Sequence, residues 1–188
     1  MLPALWMFTD PDRTPDVAAA AQRLPRGAGV VYRGFGRPEA PAEARALARV
    51  ARRRGLVLLI GRDADLAARV GAQGVHLPER DAPRLRRLRA RRPRWILTLA
   101  AHGPGAVARG AGVGCDAVFL SAIFPSRSPS AGRPLGVVRL AAIARRASIP
   151  VLALGGVGPS SAVRLRGTGV SGFAAVEAVS GRRDPVRT

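Results

Sequence analysis

Val70-Gly-Ala-Gln-Gly-Val-His-Leu77 decides the fold: a helix-like segment runs into a glycine, small residues follow, and an apolar strand begins. The same arrangement returns at Ala111-Gly-Val-Gly-Cys-Asp-Ala-Val-Phe119 and at Gly167-Thr-Gly-Val-Ser-Gly-Phe-Ala174. Glycine ends a helix in the left-handed region, where a Cβ would clash with the backbone. On either side of these units, strands are expected at Leu5–Thr9, Gly29–Arg33, Leu56–Ile60, Gly74–Leu77, Trp95–Ala100, Ala117–Ser121, Pro150–Leu154 and Gly172–Val176. Most are apolar without alternation, as strands covered on both faces are. Between them, apolar residues recur at helical spacing in Pro15–Leu24, Pro41–Arg54, Ala64–Val70, Ala82–Arg92, Gly105–Arg109, Gly136–Ala147 and Ser160–Arg166, several opening on proline or on a Ser/Asp cap. Eight strands alternating with helices predict an α/β protein, a compact TIM-type (β/α)8 barrel in one domain over residues 1–188. The last helix is short or absent, because Val179–Thr188 is polar, contains Pro185 and reads as a frayed tail from about residue 180.

Composition narrows the function. The chain of 188 residues is 47% hydrophobic, enough for a sizeable core, and has no apolar run long enough for a membrane helix. No basic segment precedes the apolar run near the N-terminus, so a cytoplasmic protein is expected, and the single Cys115 permits no intrachain disulfide. A net charge of +19 suggests nucleic acid, but all 31 Lys/Arg positions are arginine and aromatics are only 4%, which leaves few stacking platforms. The arginines read as a coding bias spread over the surface. The absence of lysine excludes Schiff-base chemistry.

In a barrel of this kind ligands bind at the C-terminal ends of the strands. Val151-Leu-Ala-Leu-Gly-Gly-Val-Gly-Pro159 sends a strand into a Gly-Gly turn ahead of a helix start, an arrangement suited to phosphate at Gly155 and Gly156 or to a tight turn alone. Asp63, Asp65, Glu79 and Asp81 follow the third and fourth strands and form an oxygen-ligand set for Mg2+, although Asp63 or Asp65 serves equally as a helix cap. His76, inside an apolar strand, reads first as a buried, hydrogen-bonded histidine. The loop from Pro125 to Gly136, rich in Ser, Gly and Arg, is suited to closing over a phosphorylated ligand. Arg33 stands at a strand end, where a half-buried arginine calls for an anionic partner. The basic run Arg84–Arg94 reads as a solvated helix face.

Thr9-Asp10, Gly74-Val-His-Leu77, Ala101-His102, Ala122-Ile-Phe-Pro125, Pro134-Leu-Gly136 and Ile149-Pro-Val-Leu-Ala-Leu-Gly-Gly-Val157, in that order, make the chain similar to the thiamine phosphate synthase family and its relative the thiazole tautomerase, from Leu5 to about Val179. That resemblance implies a transferase joining an aminopyrimidine methyl diphosphate to a thiazole phosphate, with Mg2+ as cofactor. It assigns catalytic positions to Arg33, His102, Ser126 and Ser128, phosphate contacts to Gly155, Gly156, Arg127 and Arg133, and metal ligation to Asp63 and Asp81. A homo-oligomer is compatible with it. The chain departs from the family pattern at Val31 and Phe35, at Gly61-Arg62, at Pro129, where the family carries a lysine, at Ala100 and at Glu177. Arg62 stands where the family's principal metal ligand is expected. Three readings follow: a synthase with altered residues; a diverged member that binds a phosphorylated heterocycle without Mg2+, Arg62 contacting the anion directly; or an unrelated basic binding module, against which the ordered landmarks stand.

Overall fold

The computed structural model describes residues 1–126 and 132–176. Eight strands form one closed parallel barrel: β1 (Leu5–Phe8), β2 (Gly29–Tyr32), β3 (Val57–Gly61), β4 (Gly74–Leu77), β5 (Ile96–Ala101), β6 (Ala117–Leu120), β7 (Val151–Ala153) and β8 (Gly172–Ala175). Each pairs with the next, and β8 returns to β1 with Phe173 beside Leu5 and Ala175 beside Met7. The helices between them are α1 (Val17–Gln22), α2 (Ala40–Arg54), α3 (Ala64–Val70), α4 (Ala82–Arg91), α5 (Pro104–Gly112), α6 (Gly136–Arg146) and α7 (Pro159–Ala162). The segment expected to lack a final helix lies outside the described residues. Among those described, no helix is long and apolar enough to cross a membrane.

Continuously apolar strands make sense once both faces are assigned. One set of alternate residues, including Met7, Val30, Leu58, Val75, Leu97 and Leu120, packs against the helices in the larger core. The other set, including Trp6, Phe8, Val31, Leu59, Phe119 and Leu152, fills the barrel interior. Neither set meets water, so period-two polarity is lost.

The repeated glycine motif has two physical roles. In its first copy Gly71 caps α3 in the left-handed conformation (φ 67°), its N–H reaching back to Ala67 and Ala68 carbonyls. Gly74 then begins β4 where the Ile96 carbonyl of β5 passes only 1.9 Å from the position a Cβ would occupy. The first glycine turns the chain, and the second lets adjacent strands close.

Candidate active site

Aromatic rings stack up the barrel interior toward the C-terminal mouth. Trp6 meets Phe119 edge to face at 5.5 Å between centroids, and Phe119 meets Phe8 at 4.8 Å and His76 at 5.3 Å. Phe8 and His76 complete the cluster at 5.1 Å. Edge-to-face contacts of this kind suit the ring quadrupoles and fix every ring in place. Above them the Arg33 guanidinium lies 5.6 Å from the Phe8 centroid.

Arg33 is held by the exit of β1. Its Nε donates to the Thr9 carbonyl at 2.6 Å and its backbone N–H to Thr9 Oγ1 at 2.9 Å. One terminal nitrogen lies 3.3 Å from Asp10 Oδ2. The anionic partner expected of Arg33 is therefore supplied in part by the chain itself, a role for Asp10 that sequence reasoning did not assign. Burial lowers the Arg33 pKa, Asp10 opposes that shift, and Arg13 adds to it. Phe35, in the left-handed region at φ 50° and largely exposed, has its ring centroid 5.3 Å from the Arg33 guanidinium carbon.

His76 is buried, as read from the sequence, yet it faces the site. Its Nδ1 is 3.0 Å from Thr98 Oγ1, and the Thr98 hydroxyl in turn reaches the Val75 carbonyl at 3.4 Å. A hydroxyl that donates to Val75 accepts from His76, which puts the proton on Nδ1 and leaves Nε2 as an acceptor. Burial, with Arg33 nearby, holds the imidazole pKa down at about 3, so it is neutral at physiological pH.

The acidic residues after β3 and β4 do not converge as a metal site. Asp63 caps α3, its Oδ1 accepting the Leu66 N–H at 2.7 Å. Asp81 accepts two cations on one oxygen, Arg62 Nε at 3.6 Å and Arg84 Nη1 at 3.4 Å. Glu79 pairs with Arg109. Among the described residues no three His, Cys, Asp or Glu side chains are grouped to hold a metal ion. A hard divalent cation needs oxygens unencumbered by cations, and here Asp63 is a cap while Glu79 and Asp81 are ion-pair partners. As arranged here, Asp63 and Asp81, the pair expected to hold Mg2+, do not fit a shared ion, one being bound to the α3 backbone and the other to two arginines. Asp63→Ala is expected to cost about 1 kcal/mol of stability, equally with and without added Mg2+, in a thermal unfolding assay.

The remaining candidates are dispersed. His102 follows β5, is exposed, and has Nδ1 3.2 Å from the Ser121 carbonyl, which makes that nitrogen the donor. It borders a groove shared with Pro78, Glu79 and Arg109, outside the ring column. Gly155 and Gly156 both have positive φ, 90° and 65°. A Cβ on the first would lie 2.9 Å from Ala122 Cα, and on the second 2.3 Å from the Pro125 carbonyl. Their glycine character is thus required by the β6 exit pressing against the turn. Ser161 Oγ secures the same turn, accepting from the Gly158 N–H at 2.9 Å and donating to the Gly156 carbonyl at 3.0 Å. Ser126 is half-buried and Arg133 exposed, while Arg127, Ser128 and Glu177 lie outside the described residues.

The thiamine monophosphate synthase family profile matches residues 7–179. The thiamine biosynthesis bifunctional protein ThiM/ThiE of Symbiobacterium thermophilum is 33% identical over 97% of the chain, which spans 38% of that longer protein. A thiamine-phosphate synthase of Thioalkalivibrio sulfidiphilus is 34% identical, the match covering 92% of the chain and 87% of the relative. The solved thiamine phosphate pyrophosphorylase of Pyrococcus furiosus superposes with a TM-score of 0.83 at 25% identity, covering 96% of the chain and 88% of that structure. With the family profile spanning every strand exit of the barrel, the chain belongs to the thiamine monophosphate synthase family.

Proposed function

We propose that the barrel mouth binds an aminopyrimidine methyl diphosphate and a thiazole phosphate and joins them into thiamine phosphate. The observation that carries this reading is the family match over residues 7–179, which takes in every strand exit. In the reaction the methylene C–O bond breaks, diphosphate leaves with the electron pair, and the thiazole nitrogen lone pair forms the new C–N bond. Charge builds on the departing diphosphate, and a preoriented cation stabilises it most where water is excluded. In this reading Arg33 supplies that cation, a role supported by its clamping by Thr9 and Asp10 over the apolar Phe8 ring. Neutral His76 offers Nε2 to a ring substituent of the substrate, and Gly155 and Gly156 present backbone toward the thiazole phosphate.

Purified protein given both substrates is expected to form thiamine phosphate. Arg33→Gln is expected to lower kcat/KM about tenfold while leaving the fold intact by circular dichroism. Wild-type protein that forms no product would sink the reading. The Arg62–Asp81 pair favours a second reading, a diverged member that keeps thiazole phosphate binding without synthesis; tight thiazole phosphate binding by an inactive protein would establish it.

A further inference from the structure

Arg62 is a non-glycine residue in the left-handed region, at φ 66°, immediately after β3. Such a conformation costs free energy in a residue with a Cβ and recurs at functional sites. Two anchors hold it there. Its backbone N–H donates to the His76 carbonyl at 2.9 Å, tying it to the exit of β4, and its Nε faces Asp81 at 3.6 Å. That geometry uses the inner edge of the guanidinium. The two Nη groups have no acceptor among the described residues, and the side chain is 58% exposed.

The charge around it is unbalanced. Asp81 serves both Arg62 and Arg84, so one carboxylate faces two guanidinium groups. Arg33 stands on the adjacent strand exit: a Cβ placed on Gly61, the residue before Arg62, would lie 3.5 Å from Arg33 Cγ. Two forked donors thus leave neighbouring positions at one mouth. Paired N–H forks match the oxygens of a phosphoryl group, and a fixed guanidinium stays charged at any working pH.

We propose that Arg62 takes the part of a divalent cation, binding the diphosphate of the substrate directly, so that anion binding in this protein needs no Mg2+. The proposal rests on reading the mouth as a diphosphate site. Asp81 orients Arg62 through Nε and turns its Nη pair toward the anion.

Calorimetric titration of the full chain with inorganic pyrophosphate at 150 mM salt tests it, with EDTA in one series and Mg2+ in the other. Thiamine phosphate formation is measured in parallel. Wild-type protein is expected to bind one pyrophosphate in EDTA and no more tightly with Mg2+. Arg62→Gln is expected to weaken binding at least tenfold, whereas Arg146→Gln, on the exposed end of α6, leaves it unchanged and so controls for the general positive charge. Arg62→Asp, which sets a second carboxylate beside Asp81, is expected to lose binding in EDTA and regain part of it with Mg2+. Binding that requires Mg2+ in the wild type, or an Arg62→Gln variant that binds as the wild type does, overturns the proposal. If Mg2+-dependent binding comes with thiamine phosphate formation, the synthase reading stands and only the metal-free site falls. Absence of both pyrophosphate binding and product overturns both.

Discussion

Alanine at Gly29 is expected to destabilise the protein by about 3 kcal/mol and to lower its melting temperature by roughly 6–12 °C. The cause is Trp6. A Cβ on Gly29 would lie 2.1 Å from Trp6 Cε3 and 2.3 Å from Cδ2, well inside contact distance. The two residues are register partners in β1 and β2, so the clash sits between paired strands. The indole has no way to retreat. It is fully buried, its Nε1–H donates to the Pro3 carbonyl at 2.7 Å, and Phe119 packs against it in a T-shaped contact. Trp6→Leu removes the obstructing ring and is expected to cost about 3 kcal/mol by itself, through the cavity it leaves. In the double variant the alanine methyl enters that cavity, so the two losses fall short of their sum by about 2 kcal/mol. Urea unfolding followed by circular dichroism measures all three. Additive losses would mean that β2 yields at Gly29 and the ring does not oppose it. Gly103→Ala is the control: φ is −177°, no atom lies within 4 Å of the added Cβ, and stability is expected to stay within about 0.5 kcal/mol.

The barrel was legible because its signals are local. Glycines that end helices, proline and aspartate at helix starts, and unbroken apolar runs each follow from the geometry of a single element. Gly71 and Asp63 show this directly, the one ending α3 in a left-handed turn and the other opening it with a side-chain cap. The capping role of Asp63 was one of two roles open in the sequence, and the Leu66 N–H at 2.7 Å decides between them. Gly29 carried no such signal. Its reason is a ring across the strand pair, and nothing in residues 28–34 announces Trp6.

The site was legible in its members and not in its pairings. Arg33, Asp81 and the Gly155-Gly156 turn were identified by their place at strand exits, where the fold puts ligands. Which carboxylate serves which arginine depends on three-dimensional neighbours. Asp10 and Arg33 are 23 positions apart, and Arg62 and Asp81 belong to different strand exits. Arg62 could be recognised as a departure from the family pattern, but its left-handed backbone and its pairing with Asp81 have no sequence signature. His76 shows the same limit: burial was expected from its apolar neighbours, yet its place in the ring column, close to Arg33, comes only from barrel closure.

That placement makes acid the protein's weakness. The imidazole pKa is about 3 in the folded state against an ordinary value of 6.5, with burial the larger cause and the Arg33 charge the second. Between those values the unfolded chain binds a proton at His76 that the folded chain refuses, so stability falls as pH drops from 6.5 toward 3 and is untouched by this group above 6.5. The loss from His76 amounts to about 2 kcal/mol at pH 5 and approaches about 5 kcal/mol once the pH is below both values. His76→Gln removes the titration and keeps an amide able to bond Thr98 Oγ1. The variant is expected to be less stable than the wild type at pH 7.5, because the ring packing of Phe8 and Phe119 around position 76 is lost. As pH falls to 5 the gap should narrow by about 2 kcal/mol, since carboxylate protonation elsewhere affects both proteins alike. Urea unfolding of the two proteins at pH 7.5, 6 and 5 reads the difference directly. Parallel pH profiles would show that the imidazole protonates freely in the folded barrel, and so that water or an open path reaches His76 past Arg33.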